Sequence, residues 1–455
     1  MERREAIKKL ITALTGFALT PLLAHCDETN INPKGKIIVV GAGVSGLYAA
    51  FLLQEKGFEV EILEASNKFG GRIKELKLFA DFPIELGAEE VHGQRSLYKQ
   101  LLNKTNANIV ESPNTNEDFF WLDNQFMPET DVNVDGDYRK LQVLIDELQD
   151  FQGNDLNMQD YIQQKGITNR LYKIANAQIG NEYGTSNTRI SVKGITQSEQ
   201  LWSAGDRNYT IKNRSHYSLI EELFAPILDK IKYETVVKKI SHTPQGIAID
   251  DEQNQRYRAD RVLLTVPLKI LQDNDIAFNP PLPNNKIQAI NAIGFGAGMK
   301  IILKFNARFW DSNLGSIYGL THCPEIWSAS AQKNSQMYVL TAFINGEDAE
   351  TMSKENNYAI DLVLSQLKKC YGSATINNAF TNGYIADWSK EPFIKGSYSY
   401  PKPNAPSNIR EILAQNIDNK LYFAGEATNT NGHFATIHGA METAQIAAND
   451  IIKSF

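Results

Sequence analysis

One short run constrains this chain more than any other: Gly41-Ala42-Gly43-Val44-Ser45-Gly46, set directly after Lys36-Ile37-Ile38-Val39-Val40. The five residues before it read as a buried parallel strand, and Leu47 to Glu55 after it as a helix ending near Gly57. Strand, glycine turn and helix in that order form a dinucleotide fingerprint, and each glycine has its own task. Gly41 permits the tight turn, Gly43 lets a pyrophosphate approach the backbone, and Gly46 lets the helix pack on the strand. The helix start, at Val44 and Ser45, offers free N–H groups and a positive dipole end to phosphates. A second strand over residues 58–63 ends in Glu64. The spacing of about 20 residues suits a carboxylate that accepts hydrogen bonds from the adenosine ribose.

Phe69-Gly70-Gly71-Arg72 follows. It resembles the second glycine motif of FAD enzymes with a glutathione-reductase-like fold, where the glycine pair turns beside the cofactor and Arg72 neutralises a phosphate. From Lys36 to the C-terminus the chain resembles the flavin-containing amine oxidases, a family that includes polyamine oxidases, monoamine oxidases and lysine-specific histone demethylases. The likeness is strong at both ends and weak from about Ser96 to Ser215. The run Ile84-Glu85-Leu86-Gly87-Ala88-Glu89-Glu90-Val91-His92-Gly93 looks like the segment that passes the flavin ring, with His92 facing the substrate channel. Residues 233–240 resemble the strand and loop that touches the adenine, through the backbone of Val237. Residues 294–305 are very similar to the segment that carries the active-site lysine, which the resemblance places at Lys300, holding a water against flavin N5. A cation there stabilises negative charge on the reduced flavin and on oxygen.

Further along, Trp388 and Gly396-Ser397-Tyr398-Ser399-Tyr400-Pro401 resemble the stretch under the flavin, with Tyr398 in the substrate cage. An aromatic face there attracts an amine head group. Monoamine oxidases carry at the position of Ser397 a cysteine linked to FAD; a serine implies noncovalent FAD. Residues 421–428 and 432–440 match the second FAD-contacting segment. There Gly425 and Glu426 approach the cofactor, Thr436 takes the second cage position, and a helix from Ile437 aims its N-terminus at the flavin.

The resemblance implies an α/β fold: a glutathione-reductase-like Rossmann FAD-binding domain (residues 34–93, 214–284 and 394–455) with a discontinuous α+β substrate domain (94–213 and 285–393). Residues 136–180, rich in helix formers, are expected to cover the site. The implied reaction is oxidation of an amine, possibly a polyamine, by hydride transfer to flavin N5. It gives an imine, then an aldehyde or ketone, while O2 becomes H2O2. Glu89 and Glu90, with His92, are candidates for recognising further amino groups. The alternatives are an L-amino acid oxidase, which needs a cation for the substrate carboxylate, and a non-catalytic flavin-binding exported lipoprotein.

Composition narrows the rest. The 455 residues exceed one ordinary domain, and a net charge of −7 disfavours nucleic acid as a partner. Three cysteines, Cys26, Cys323 and Cys370, give no zinc spacing, and no metal is expected. Whether Cys323 and Cys370 pair stays open. At the N-terminus, Arg3-Arg4 and Lys8-Lys9 precede a short apolar run. That is the pattern of a signal peptide over residues 1–26, of the twin-arginine type. Leu23-Ala24-His25-Cys26 resembles a lipobox, so the expectation is export to the periplasm, with a possible membrane tether through Cys26. Oligomeric state is not legible.

Overall fold

Lys36–Val40 forms the expected strand and becomes the middle of a five-stranded sheet in the computed structural model, which describes residues 33–112, 116–243, 246–333 and 335–455. The expected signal segment and Cys26 lie outside the described residues. The sheet runs 231–232, 59–63, 36–40, 261–264, 421–423, and every pairing is parallel. A parallel sheet must be covered on both faces, and the strand's alternation does this. Ile37 and Val39 join one apolar cluster with helices Val44–Glu55 and Ile437–Lys453. Ile38 and Val40 join another, with Ile240, Ile249 and Tyr257 of a four-stranded sheet built from residues 237–243, 246–251, 256–259 and 277–279.

A second architecture stands beside the first. Seven strands run in the order 380–387, 298–305, 338–345, 323–328, 314–320, 117–122, 125–128. Its register places Lys300 opposite Phe343, and Phe343 opposite Glu325. Register partners project from the same face of a sheet, so these three side chains form one row. Two strand spacings separate its ends, about 10 Å.

Residues 34–455 form one compact unit. Short pairings bridge segments distant in sequence: Ile293–Phe295 with Ser399–Pro401, and Asn208–Ile211 with both Val91–His92 and Ile109–Glu111. Residues 136–180 do form short helices, but Tyr138, Leu141, Leu144, Ile162 and Ile174 pack into a cluster with Phe120 and Leu122. These helices do not line the main cavity, contrary to expectation; the wall comes from residues just after them, Glu182 and Tyr183. The reason is their apolar faces, which need a core of their own. Cys323 is buried, Cys370 half-buried, and both are free. No helix among the described residues is long and apolar enough to cross a membrane.

Candidate functional site

The glycine turn shows three different uses of a missing side chain. Gly41 has φ +105°, a conformation that L side chains rarely adopt. A Cβ on Gly46 would lie 2.0 Å from the Gly41 carbonyl oxygen, so Gly46 is where the helix sits against the turn. A Cβ on Gly43 would meet nothing within 4 Å. Gly43 faces a cavity of about 890 Å³, toward the upper end of ligand-site sizes. Gly425 has the same open face.

Every residue singled out from the sequence lines that cavity except Gly46, which is packed against the turn. Two observations at its glycine end fit the phosphates and ribose of a dinucleotide. Ser45 Oγ is buried without a hydrogen-bond partner, and helix Val44–Glu55 starts without a side-chain cap. Glu64 is held there by the N–H groups of Ala42 (2.6 Å) and Ser66 (2.9 Å) and by Ser66 Oγ (2.8 Å). Val237 lines the same end at the start of its strand.

The middle of the cavity is braced by buried polar groups. Arg72, expected to face a phosphate, donates from Nη1 to Glu426 Oε1 (2.9 Å) and to the Ser397 carbonyl (2.8 Å). Glu426 also accepts from Ser399 Oγ (2.6 Å) and the Ala435 N–H (2.9 Å). Burial raises its pKa, but Arg72, Ser399 and Arg410 outweigh that and hold it below the usual carboxylate range. Trp388 Nε1 donates to the Leu86 carbonyl at 2.8 Å, and a Cβ on Gly87 would lie 1.8 Å from the Arg72 carbonyl oxygen, with the Trp388 ring also close at 3.1 Å. Ala88 follows on the cavity wall. Thr436 caps helix Ile437–Lys453 by accepting the Gly439 N–H at 2.9 Å.

Lys300 is buried, 2 % exposed, and its ammonium reaches the cavity. It donates to Glu89 Oε2 at 2.5 Å and to the Glu85 carbonyl at 3.2 Å, with the Trp327 ring 5.3 Å away. Glu89 is thus first of all the partner of Lys300. Behind it Glu85, buried, accepts the His216 N–H at 2.7 Å, and burial pushes its carboxyl up to about 8. His92 is half-exposed toward the cavity and bonded through Nδ1 to Asn208 Oδ1 at 3.1 Å. Tyr398 donates to the Glu182 carbonyl at 2.7 Å while its ring lies over Gly184.

Sequence reasoning missed a second acidic group. Glu182 and Glu325 both line the cavity and face each other closely enough to share a hydrogen bond. Burial pushes both carboxyls up, and for Glu182 the neighbouring Glu325 adds to the effect. Glu182 is surrounded by the protein but opens onto the cavity, where a ligand can meet it. Ser316 Oγ holds Glu325 at 2.6 Å. The strand alternation Glu325-Ile326-Trp327 was the available signal: positions two apart face one way. Glu90 lies on the same wall, its pKa also raised by burial. The cavity therefore joins a dinucleotide-shaped end to a chamber with one buried lysine, several carboxyls and the aromatic faces of Tyr398, Trp327 and Phe343.

Residues 44–452 match the family described as flavin containing amine oxidoreductase. Among curated relatives, rice polyamine oxidase 4 (Oryza sativa subsp. japonica) is 28% identical over 96% of this chain and 92% of its own length. The mouse lysine-specific histone demethylase 1B is 28% identical over 98% of this chain, which spans only 57% of that longer protein. Solved structures share the fold at low identity. Wild-type putrescine oxidase bound to putrescine superposes with a TM-score of 0.77 at 18% identity, covering 92% of this chain and 99% of that one. Cyclohexylamine oxidase from Brevibacterium oxydans gives 0.78 at 19%, with the same coverage.

Proposed function

The chain belongs to the flavin-containing amine oxidoreductases and is an FAD-dependent enzyme of amine oxidation, and from that premise we propose that its substrate is an aliphatic di- or polyamine. The observation that carries this reading is the second acidic group. Glu325 stands about two strand spacings from Lys300 on one face of the sheet, with Glu182 against it. A substrate with one amine at the Lys300 end and another at this pair would have both nitrogens met. Three of the cations on the cavity wall that could meet an amino acid carboxylate are already engaged: Arg72 by Glu426, Lys74 by Glu391 and Lys300 by Glu89.

FAD fits the glycine end, held by Gly43, Ser45, Glu64, Val237 and Gly425, and noncovalently, because Ser397 offers no thiol. When bound, FAD would supply the two-electron acceptor for the carbon beside the amine and a route for those electrons to O2. The chain's own residues do the rest. Tyr398, Trp327 and Phe343 form apolar walls that strip water from the reacting amine and orient it. Lys300, fixed by Glu89 and the Glu85 carbonyl, provides a fixed positive charge where negative charge develops. Glu182 and Glu325 receive the distal ammonium, and their shared proton is released as that charge arrives. The imine product hydrolyses to an aldehyde, or to a ketone from a branched amine.

The test uses purified FAD-bound protein, mixed anaerobically with spermine, spermidine, putrescine, tyramine or L-amino acids. Bleaching of the flavin by a di- or polyamine, with peroxide on readmitting air, is the expected result. Bleaching by tyramine alone would remove the second acidic group from recognition, and bleaching by amino acids alone would move the assignment to an amino acid oxidase.

A further inference from the structure

We propose that His433, His438 and Glu442 form a binding site for one divalent transition-metal ion, with zinc the best match, just behind the cavity wall. His438 and Glu442 stand four residues apart on helix Ile437–Lys453 and so share one face of its first turns. His433 lies in the loop that enters the helix. One ligand atom from each residue, two imidazole nitrogens and a carboxylate oxygen, lie within 4.8 Å of one another. Two imidazoles and one carboxylate suit zinc and its neighbours in the series, and three protein ligands leave a fourth position for water.

A second observation points to a missing ligand. His438 is 2 % exposed, and its Nε2 is buried with no hydrogen-bond partner. Buried polar groups are nearly always paired, so an orphan imidazole nitrogen in a cluster of donors calls for an explanation. The remaining groups are already oriented by an outer layer, as metal ligands require. Glu442 Oε1 and Oε2 lie 3.0 and 2.9 Å from His433 Nδ1. Asn429 Nδ2 donates to Glu442 Oε2 at 3.0 Å. The Ser203 N–H and Oγ lie 3.2 and 3.3 Å from His433 Nε2. Trp202 closes the site edge-on to both imidazoles, with ring centroids 4.9 and 5.5 Å away.

Without the ion, His433 Nδ1–H donates to Glu442 and Nε2 accepts the Ser203 N–H. Coordination at Nδ1 moves that proton to Nε2, which then donates to Ser203 Oγ while the Ser203 N–H gives up its bond to the ring. The imidazole stays neutral, and the ion's charge is met in part by Glu442. Phe434, Ala435, Thr436 and Ile437 lie between the two histidines in sequence and line the cavity. An ion here clamps that wall to the segment of Trp202 and Ser203, so its role is structural. The site departs from the sequence expectation of no metal. Its spacing, His-x4-His-x3-Glu, follows no familiar pattern and becomes a site only when the loop turns back on the helix.

The test takes untagged, flavin-loaded full chain, strips it by dialysis against a chelator, and titrates it with Zn2+ and separately with Co2+. One equivalent per chain is expected. Cobalt should give the strong visible bands of a four-coordinate ion, to the red of the flavin. Glu442→Gln and His438→Ala should each weaken binding by ~100-fold, and zinc should raise the melting temperature of the wild type but of neither variant. Flavin content and melting of the stripped variants show whether they fold; if one does not, His433→Gln replaces it. No bound metal in the wild type, or binding equally tight in the wild type and the folded variants, overturns the site.

Discussion

Lys300 and Glu89 balance one another inside the cavity, and that pairing decides what replacing either should do. Lys300→Met removes the ammonium, leaves the Glu89 carboxylate facing the chamber and takes a donor from the Glu85 carbonyl. The variant should remain yellow, because no FAD-end residue is touched, while flavin reduction or reoxidation slows ~10²-fold or more, the scale of losing one fixed charge-stabilising group. Anaerobic stopped-flow reduction and oxygen mixing measure the two half-reactions; near wild-type rates in both would remove Lys300 from the chemistry. The sequence shows both residues but not their contact, since 211 positions separate them. Glu85 carries a different prediction. Its carboxyl is pushed up to about 8 from an unfolded value near 4.5. The folded state therefore holds a proton that the unfolded state has lost, and this contribution to stability is full below pH ~4.5 and disappears as pH rises through 8. Buried His216, pushed down to about 4, acts oppositely between pH 4 and 6.5, so the raw profile mixes the two. Denaturant midpoints of the wild type and Glu85→Gln isolate the term: the difference should shift steadily from pH 5 to 8. Parallel profiles would mean that Glu85 is ionised throughout.

The strand–turn–helix unit is the element where sequence and structure agree most closely, because each of its constraints is local. Gly43 and Gly46 look alike in the motif yet predict opposite failures. Gly46→Ala drives a Cβ into the Gly41 carbonyl oxygen at 2.0 Å and must pry the helix from the turn. Gly43→Ala meets no protein atom within 4 Å, so its methyl intrudes only on the cofactor. The expected outcome is a stability loss of several kcal/mol for Gly46→Ala, in the range of overpacked or strained backbone sites. For Gly43→Ala it is near wild-type folding with FAD affinity reduced at least ~10-fold. Denaturant unfolding of the flavin-free proteins and FAD titration separate the two, and equal folding losses would cancel the distinction. The chamber was much less legible. Glu325 reaches it through a register shared by three strands, Gly298–Phe305, Tyr338–Asn345 and Cys323–Ser328, and no spacing in the chain encodes which strands become neighbours. For residues 136–180 the sequence offers only a composition rich in helix formers. Composition reports that a segment is helical, but not which apolar face it will bury.

At the scale of the whole molecule, the cavity is the junction of segments that the chain brings together from its beginning, middle and end. Gly43 and Ser45, Val237, Lys300, Tyr398 and Gly425 all face it. The five-stranded sheet has the same character: strand 36–40 pairs with 261–264, which pairs with 421–423. A cofactor lying along this junction binds the native arrangement and has no counterpart in the unfolded chain, where these residues are far apart. Mass action then requires stabilisation of RT ln(1 + [FAD]/Kd), about 2.7 kcal/mol at a hundredfold excess over Kd. The melting temperature of flavin-free protein should rise steadily with added FAD and keep rising past saturation of the visible spectrum, because the term grows with the logarithm of free ligand. ADP, which reaches only the glycine end and so binds more weakly, should raise it less at the same free concentration. Contacts at Lys300 and Tyr398 are then made only by the flavin half. A thermal scan across FAD concentrations decides this. A melting temperature indifferent to FAD would mean that FAD does not bind the native arrangement in preference to the unfolded chain. A full effect from ADP would place all of the coupling at the glycine turn, leaving the chamber to shape the substrate alone.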